Sequence, residues 1–180
     1  MRKRPLLLCA LVGALASPAG ATVIVPADLG ELSRDAIAIA RGRVAAVDAR
    51  WTDDRGTIET IVTLEVERYL KGSFGPELRF RVPGGELGRF KSIVVGAPEF
   101  AVHQRVVVFL GARGPTVPFI VGFNQGVFRV VASDAGWVVT PPANLPSAAG
   151  VRVVRGDPAR RPLPLADFEE RVRTLAGGAR

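Results

Sequence analysis

The run Thr57-Ile58-Glu59-Thr60-Ile61-Val62-Thr63-Leu64-Glu65-Val66-Glu67-Arg68-Tyr69 alternates apolar and polar side chains almost without a break. Ile58, Thr60, Val62, Leu64 and Val66 share one face. Thr57, Glu59, Thr63, Glu65 and Glu67 share the other, and Ile61 is the one exception. Successive strand side chains point to opposite sides, so a period of two with one charged face predicts a half-buried antiparallel strand.

Working outward, the neighbours read the same way. Ala36 to Ala49 is a strand whose apolar phase is odd at Ile37 and Ile39 and even at Val44 and Ala46. The switch falls at Arg41-Gly42, where a β-bulge is expected. Thr52-Asp53-Asp54-Arg55-Gly56 is a turn, with a glycine able to take positive φ. Leu78, Phe80 and Val82 alternate with Glu77, Arg79 and Arg81 as a third strand, which Pro83-Gly84-Gly85 breaks. Ser92 to Val95 is a short apolar strand. Arg105 to Leu110 is continuously apolar after its first residue, as a central strand is. Further strands are expected at Phe119–Val121, Val127–Val131 and Trp137–Thr140, the last two joined by the hairpin loop Ser133-Asp134-Ala135-Gly136.

Helical signals lie at both ends of this β-rich stretch. Asp28-Leu29-Gly30-Glu31-Leu32 places a capping aspartate three residues before a glutamate, which predicts a short helical turn. Pro141 to Pro164 reads as an irregular connection. From 165 to 176, Phe168, Val172 and Leu175 recur at i, i+4 and i+7, the spacing of an amphipathic helix lying on a sheet.

The amino terminus carries a compartment signal. Met1-Arg2-Lys3-Arg4 is cationic, Pro5 to Ala16 is apolar, and Ala19-Gly20-Ala21 has the small-x-small pattern of a signal-peptidase site. The run is shorter than the roughly 20 apolar residues a bilayer requires, so no membrane span is expected after cleavage. The sequence therefore predicts a signal peptide over 1–21 and one secreted or periplasmic domain over 22–180. Cys9, the one cysteine, would leave with the signal, and the mature chain would hold no disulfide, thiol nucleophile or thiolate zinc site. Removing three of 24 basic residues against 17 acidic ones leaves a net charge of 21 − 17, or +4. Arginines interspersed with acids do not form a phosphate-tracking stripe, so a nucleic-acid partner is not expected.

No catalytic constellation stands out. His103 is the one histidine and precedes the central strand, without partners for general-base or metal work. Asp53-Asp54 lacks the alternating oxygen ligands and distal glutamate of a calcium loop. Gly84-Gly85-Glu86-Leu87-Gly88 has no Gly-Lys-Ser/Thr and reads as a hairpin loop. Ser33, Ser73 and Ser92 sit in no nucleophile elbow. No catalytic residue, metal ligand or cofactor is assigned. The expected activity is binding, with a hydrolase of unrecognised motif as the enzymatic alternative. Trp51 and Trp137, both at strand ends, are candidate partner-binding residues, because barrel rims bind ligands with exposed aromatics.

Asp35-Ala36-Ile37, Gly42-Arg43-Val44, Val66-Glu67-Arg68-Tyr69-Leu70-Lys71-Gly72 and Val107-Val108-Phe109-Leu110-Gly111 resemble a group of uncharacterised secreted bacterial proteins. More remotely they are similar to the netrin-like barrel of the tissue inhibitors of metalloproteinases, over roughly Thr22 to Gly111. The resemblance implies an antiparallel OB-type or netrin-like β-barrel with a short N-terminal helical turn and a C-terminal amphipathic helix. It also implies a protein partner, a secreted zinc metallopeptidase, engaged through the new N-terminus. Thr22 would chelate the peptidase zinc through its amine and carbonyl, and Val23 would enter the specificity pocket. Those inhibitors begin with a cysteine and are stapled by disulfides, whereas this chain would begin with Thr22.

Overall fold

A computed structural model describes residues 27–114, 116–134, 136–142 and 162–177. The signal-peptide reading of 1–21 and most of the 141–164 connection lie outside these residues. Asp28 opens the first helix, α1 (Leu29–Asp35), with the expected capping box. Its carboxylate accepts from the Glu31 amide at 2.8 Å, and the Glu31 carboxylate accepts from the Asp28 amide at 3.0 Å. Two otherwise orphan donors are satisfied in this way.

Two long strands follow, β1 (Ala38–Trp51) and β2 (Ile58–Lys71), paired antiparallel from Ile39↔Lys71 to Trp51↔Ile58. Their register shifts at Arg41/Gly42, where the phase change predicted a bulge, and also at Ile39/Ala40 and Val44/Ala46. Next come β3 (Glu77–Pro83), the hairpin β4 (Gly85–Leu87) and β5 (Phe90–Ser92), β6 (Arg105–Gly111) and β7 (Phe119–Ile120). A 3-10 turn at Phe123–Gly126 leads into β8 (Val127–Ser133), β9 (Gly136–Thr140), β10 (Leu163–Pro164) and helix α2 (Leu165–Gly177).

Among the described residues the strands form an eight-stranded sheet, in the order β1-β2-β3-β7-β6-β8-β9-β10, and a two-stranded β4-β5 sheet. β1 also pairs with β6, from Ala38↔Leu110 to Arg43↔Arg105. β7 joins β3 in parallel through one residue pair, Arg81↔Phe119, and joins β6 through Leu110↔Ile120 and Gly111↔Phe119. The fold is mainly β, with a helix near each end of the described chain.

Apolar side chains gather on both sides of the sheet. Val62, Leu64, Phe80, Val106, Val108 and Leu110 meet in one cluster. Val107, Phe109, Phe128 and Val130 meet α1 and α2 in the other, through Leu32, Phe168 and Val172. β6 therefore contributes alternate residues to both cores, which accounts for its unbroken hydrophobicity. Phe168 stacks on Phe128 at 4.9 Å between ring centroids. Burying Phe168 and Val172 stabilises the docked helix by about 1.5–3 kcal/mol per side chain.

α2 also carries a polar clamp. Glu169 is 3% exposed beside the two anchors, and its carboxylate accepts from Arg41 of β1 and, at 3.3 Å, from Arg68 of β2. Arg41 Nε lies 3.1 Å from Glu67 Oε2, off the hydrogen-bonding direction, and Arg105 Nε donates to Glu67 at 2.7 Å. A chain of alternating charges thus runs from α2 across β2, β1 and β6.

In four places the structure differs in detail from what the sequence pattern suggests. Ile37 is 40% exposed, because β1 begins only at Ala38; from there Ala38 and Ala40 enter one core and Ile39 the other, as both faces of the strand are covered. The strand expected at Ser92–Val95 is displaced to Phe90–Ser92, and Ile93 to Val95 are irregular. The positive φ in the 52–56 turn falls on Arg55, at 54°, and not on Gly56. The far end of the 141–164 connection is not irregular, since Leu163 and Pro164 pair with Val139 and Val138.

Candidate functional site

The residues singled out by sequence do not converge. Thr22 and Val23 lie outside the described residues. Trp51 is 37% exposed at the end of β1, with Phe90 packed edge-on against it at 5.3 Å. Trp137 is 45% exposed at the start of β9, beneath the Arg105 guanidinium at 4.5 Å. Arg105 lies opposite Arg43, and Trp51 is eight residues farther along β1. At about 3.3 Å per residue, that is roughly 26 Å of strand. The two tryptophans do not form one face.

The turn residues behave as turn residues. His103 is exposed with φ 71°, and its amide donates to the Val44 carbonyl at 2.8 Å. Asp54 accepts from the Thr52 hydroxyl and from the Gly56 amide, the latter at 3.0 Å. Those two bonds, the hydroxyl first, hold its carboxyl below the ordinary carboxylate range. Gly84, Gly85 and Gly88 all take positive φ around the β4-β5 hairpin. Ser33 donates to the Leu29 carbonyl at 2.7 Å inside α1. Among the described residues, no three His, Cys, Asp or Glu side chains are grouped for a metal ion, and no helix is long and apolar enough to cross a membrane.

A groove of about 720 Å³ lies where β3 meets β7. Its size falls within the range of about 300–1,000 Å³ usual for ligand pockets. The turn between β1 and β2 contributes Thr52 and Thr57, and β2 contributes Ile58 and Glu59. Arg81 and Pro83 come from β3, Phe119 and Ile120 from β7, and Arg113 from the loop joining β6 to β7. Val94 and Pro98 close one side and Phe123 the other.

The segment after β5 is held in place by its backbone. The Ala97 amide donates to Val94 at 3.1 Å, and the Asn124 amide donates to the Gly96 carbonyl at 3.3 Å. That geometry turns Val94 into the groove and leaves Ile93 and Val95 beside it, 77% and 83% exposed. Apolar side chains so exposed and so grouped mark an interaction surface.

The charges around the groove are unequal. Glu59 is 8% exposed, and its carboxylate is taken by Arg50, at 2.9 Å from Nε and 2.7 Å from the terminal nitrogen. Arg81 and Arg113 have no carboxylate partner among the described residues. Arg113 instead covers the Phe119 ring at 5.6 Å. Among the described residues, the groove is apolar with two guanidinium groups that no carboxylate meets.

Sequence reasoning missed this assembly. Ile93-Val94-Val95 carries the one advance signal, an apolar triplet close behind the Pro83-Gly84-Gly85 breaker. Comparison with protein-family models, curated proteins and solved structures finds no match to this chain.

Proposed function

We propose that this chain is a secreted, non-catalytic binding module built on an OB-type barrel, and that it holds another macromolecule in the groove at the β3-β7 seam. The barrel reading is supported by the pairings, which run β1-β2-β3-β7-β6 and back to β1. OB-type barrels are five-stranded and partly open, and they bind through the face of their second and third strands and through two neighbouring loops. The groove draws on β2 and β3, on the β1-β2 turn and on the β6-β7 loop.

The observation that carries the function is the exposed apolar rim. Ile93 and Val95 are held in water beside a groove of ligand size, at a cost in apolar hydration that a partner would relieve. The test is a photo-crosslinking residue placed at Thr57, in the groove, or at Ala132, exposed on β8, in the producing cell. A discrete adduct at Thr57 and none at Ala132 is the expected result. Equal labelling at both sites, or none at either, sinks the proposal.

A second reading is inhibition of a secreted zinc metallopeptidase through the amine and carbonyl of Thr22, with Val23 in the enzyme's pocket. It gains support from Ala27, whose amide donates to the Gln125 side chain at 2.8 Å and so ties the chain to the body five residues after Thr22. An α-amine with a pKa near 7.7–8.0 keeps a useful neutral fraction at physiological pH. An extra alanine before Thr22 moves the amine by up to about 3.6 Å, too far for bidentate chelation. Protein beginning at Thr22 should inhibit and the extended form should not. Equal inhibition by both, or none, removes this reading.

A further inference from the structure

We infer that the groove receives an extended peptide segment of another protein in which aliphatic side chains stand beside carboxylates. This rests on the groove being the binding site and adds the chemistry of what enters it. The lining is aliphatic at its centre, with Ile58, Pro83, Val94 and Ile120. That surface takes a Leu, Ile or Val side chain by apolar burial. Among the described residues, Arg81 and Arg113 flank the same space without carboxylate partners, and Glu59, the one acid in the lining, is engaged by Arg50. The two cations belong to one seam, because Phe119 pairs with Arg81 and lies under Arg113. In an extended peptide, neighbouring side chains point to opposite sides. With an aliphatic residue seated on Ile58 and Ile120, carboxylates two positions away fall on the same side of the peptide as the guanidinium groups, whose planar donors match a carboxylate two bonds at a time.

Other occupants fit less well. A second copy of this chain joined through the same groove would bring its own Arg81 and Arg113 against the first pair, and like charges in an interface repel. A single-stranded nucleic acid needs open aromatic faces for its bases. Here the Phe119 face is covered by Arg113 and Trp51 is engaged by Phe90, so among the described lining residues Phe123 alone offers an open ring, too few for successive bases to stack.

The experiment is selection of a random-peptide display library on the purified protein, followed by affinity measurement of the enriched peptides. Sequences pairing Leu, Ile or Val with Asp or Glu should emerge. Their binding should fall roughly tenfold or more for Arg81→Gln and for Arg113→Gln, and should weaken with added salt. The Arg81→Glu, Arg113→Glu double variant should instead enrich lysine and arginine, which keeps the test informative beyond simple loss. Circular dichroism of each variant confirms that it is folded. Three outcomes overturn the inference: no enrichment, enrichment without acidic residues, or displacement of the selected peptides by oligothymidylate at equal concentration. Enrichment without acidic residues leaves the groove itself standing. A missing adduct at Thr57 removes the groove whatever the library returns.

Discussion

At Gly42, any added methyl would fall inside contact distance of the Glu65 carbonyl oxygen across the bulge. The glycine is there because β2 passes too close for a side chain. Two residues of β2 show how sharply position governs cost. Leu64 is fully buried, whereas Glu65 is exposed and meets Arg43 at 2.8 Å. Leu64→Asp should unfold the protein, since an unpaired charge in the core has no compensating partner. Glu65→Ala removes one solvent-exposed ion pair and should cost about 0–1 kcal/mol. Thermal melting of both variants checks this, and similar shifts would contradict the strand phase. That phase was legible from alternation alone. The burial of Glu59 and Ile61 on the opposite face was not, because Arg50 reaches Glu59 from a residue far enough away in sequence to be matched to it only by strand register.

At the scale of elements, α2 was legible as a stripe of Phe168, Val172 and Leu175, and the first two are its buried anchors. Its other anchor was hidden. Glu169 follows Phe168, on what reads as the polar flank, and is buried only because Arg41 and Arg68 converge on it from two strands. Helical periodicity carries no information about arginines more than a hundred positions away. Removing Glu169 leaves Arg41 half-buried without that partner, so Glu169→Ala should cost about 3–5 kcal/mol. Arg173, one turn on, lies 3.8 Å from Glu169 and is 51% exposed. Arg173→Ala should cost less than about 1 kcal/mol. Denaturant unfolding of the two variants separates these values, and parity between them would show that Glu169 does not clamp the helix.

For the whole molecule, legibility followed the number of residues that encode each feature. Strands of seven or more residues announce themselves by repetition, as β2, β3 and β6 do. β7 has two residues and meets β3 at one pair, so no periodic pattern specifies that contact. The groove is harder still. It is assembled from segments near residues 52–59, 81–84, 92–98 and 113–123, and exists only once the pairings bring them together. Tryptophans stand out in a sequence because they are rare. The arginines that flank the groove do not stand out among 24 basic residues.

The β3-β7 seam sets where the protein is compliant. β1 and β2 are laced along their whole length, and β1 and β6 through six successive pairs. The seam has the Arg81↔Phe119 pair and the 2.8 Å bond from the Arg81 amide to the Pro118 carbonyl. Thermal fluctuations concentrate where the fewest bonds must break together, so this seam opens more readily than the β1-β2 and β1-β6 pairings. The groove can therefore widen between β3 and β7 while Ile58 and Glu59, on the long β1-β2 pairing, hold their places.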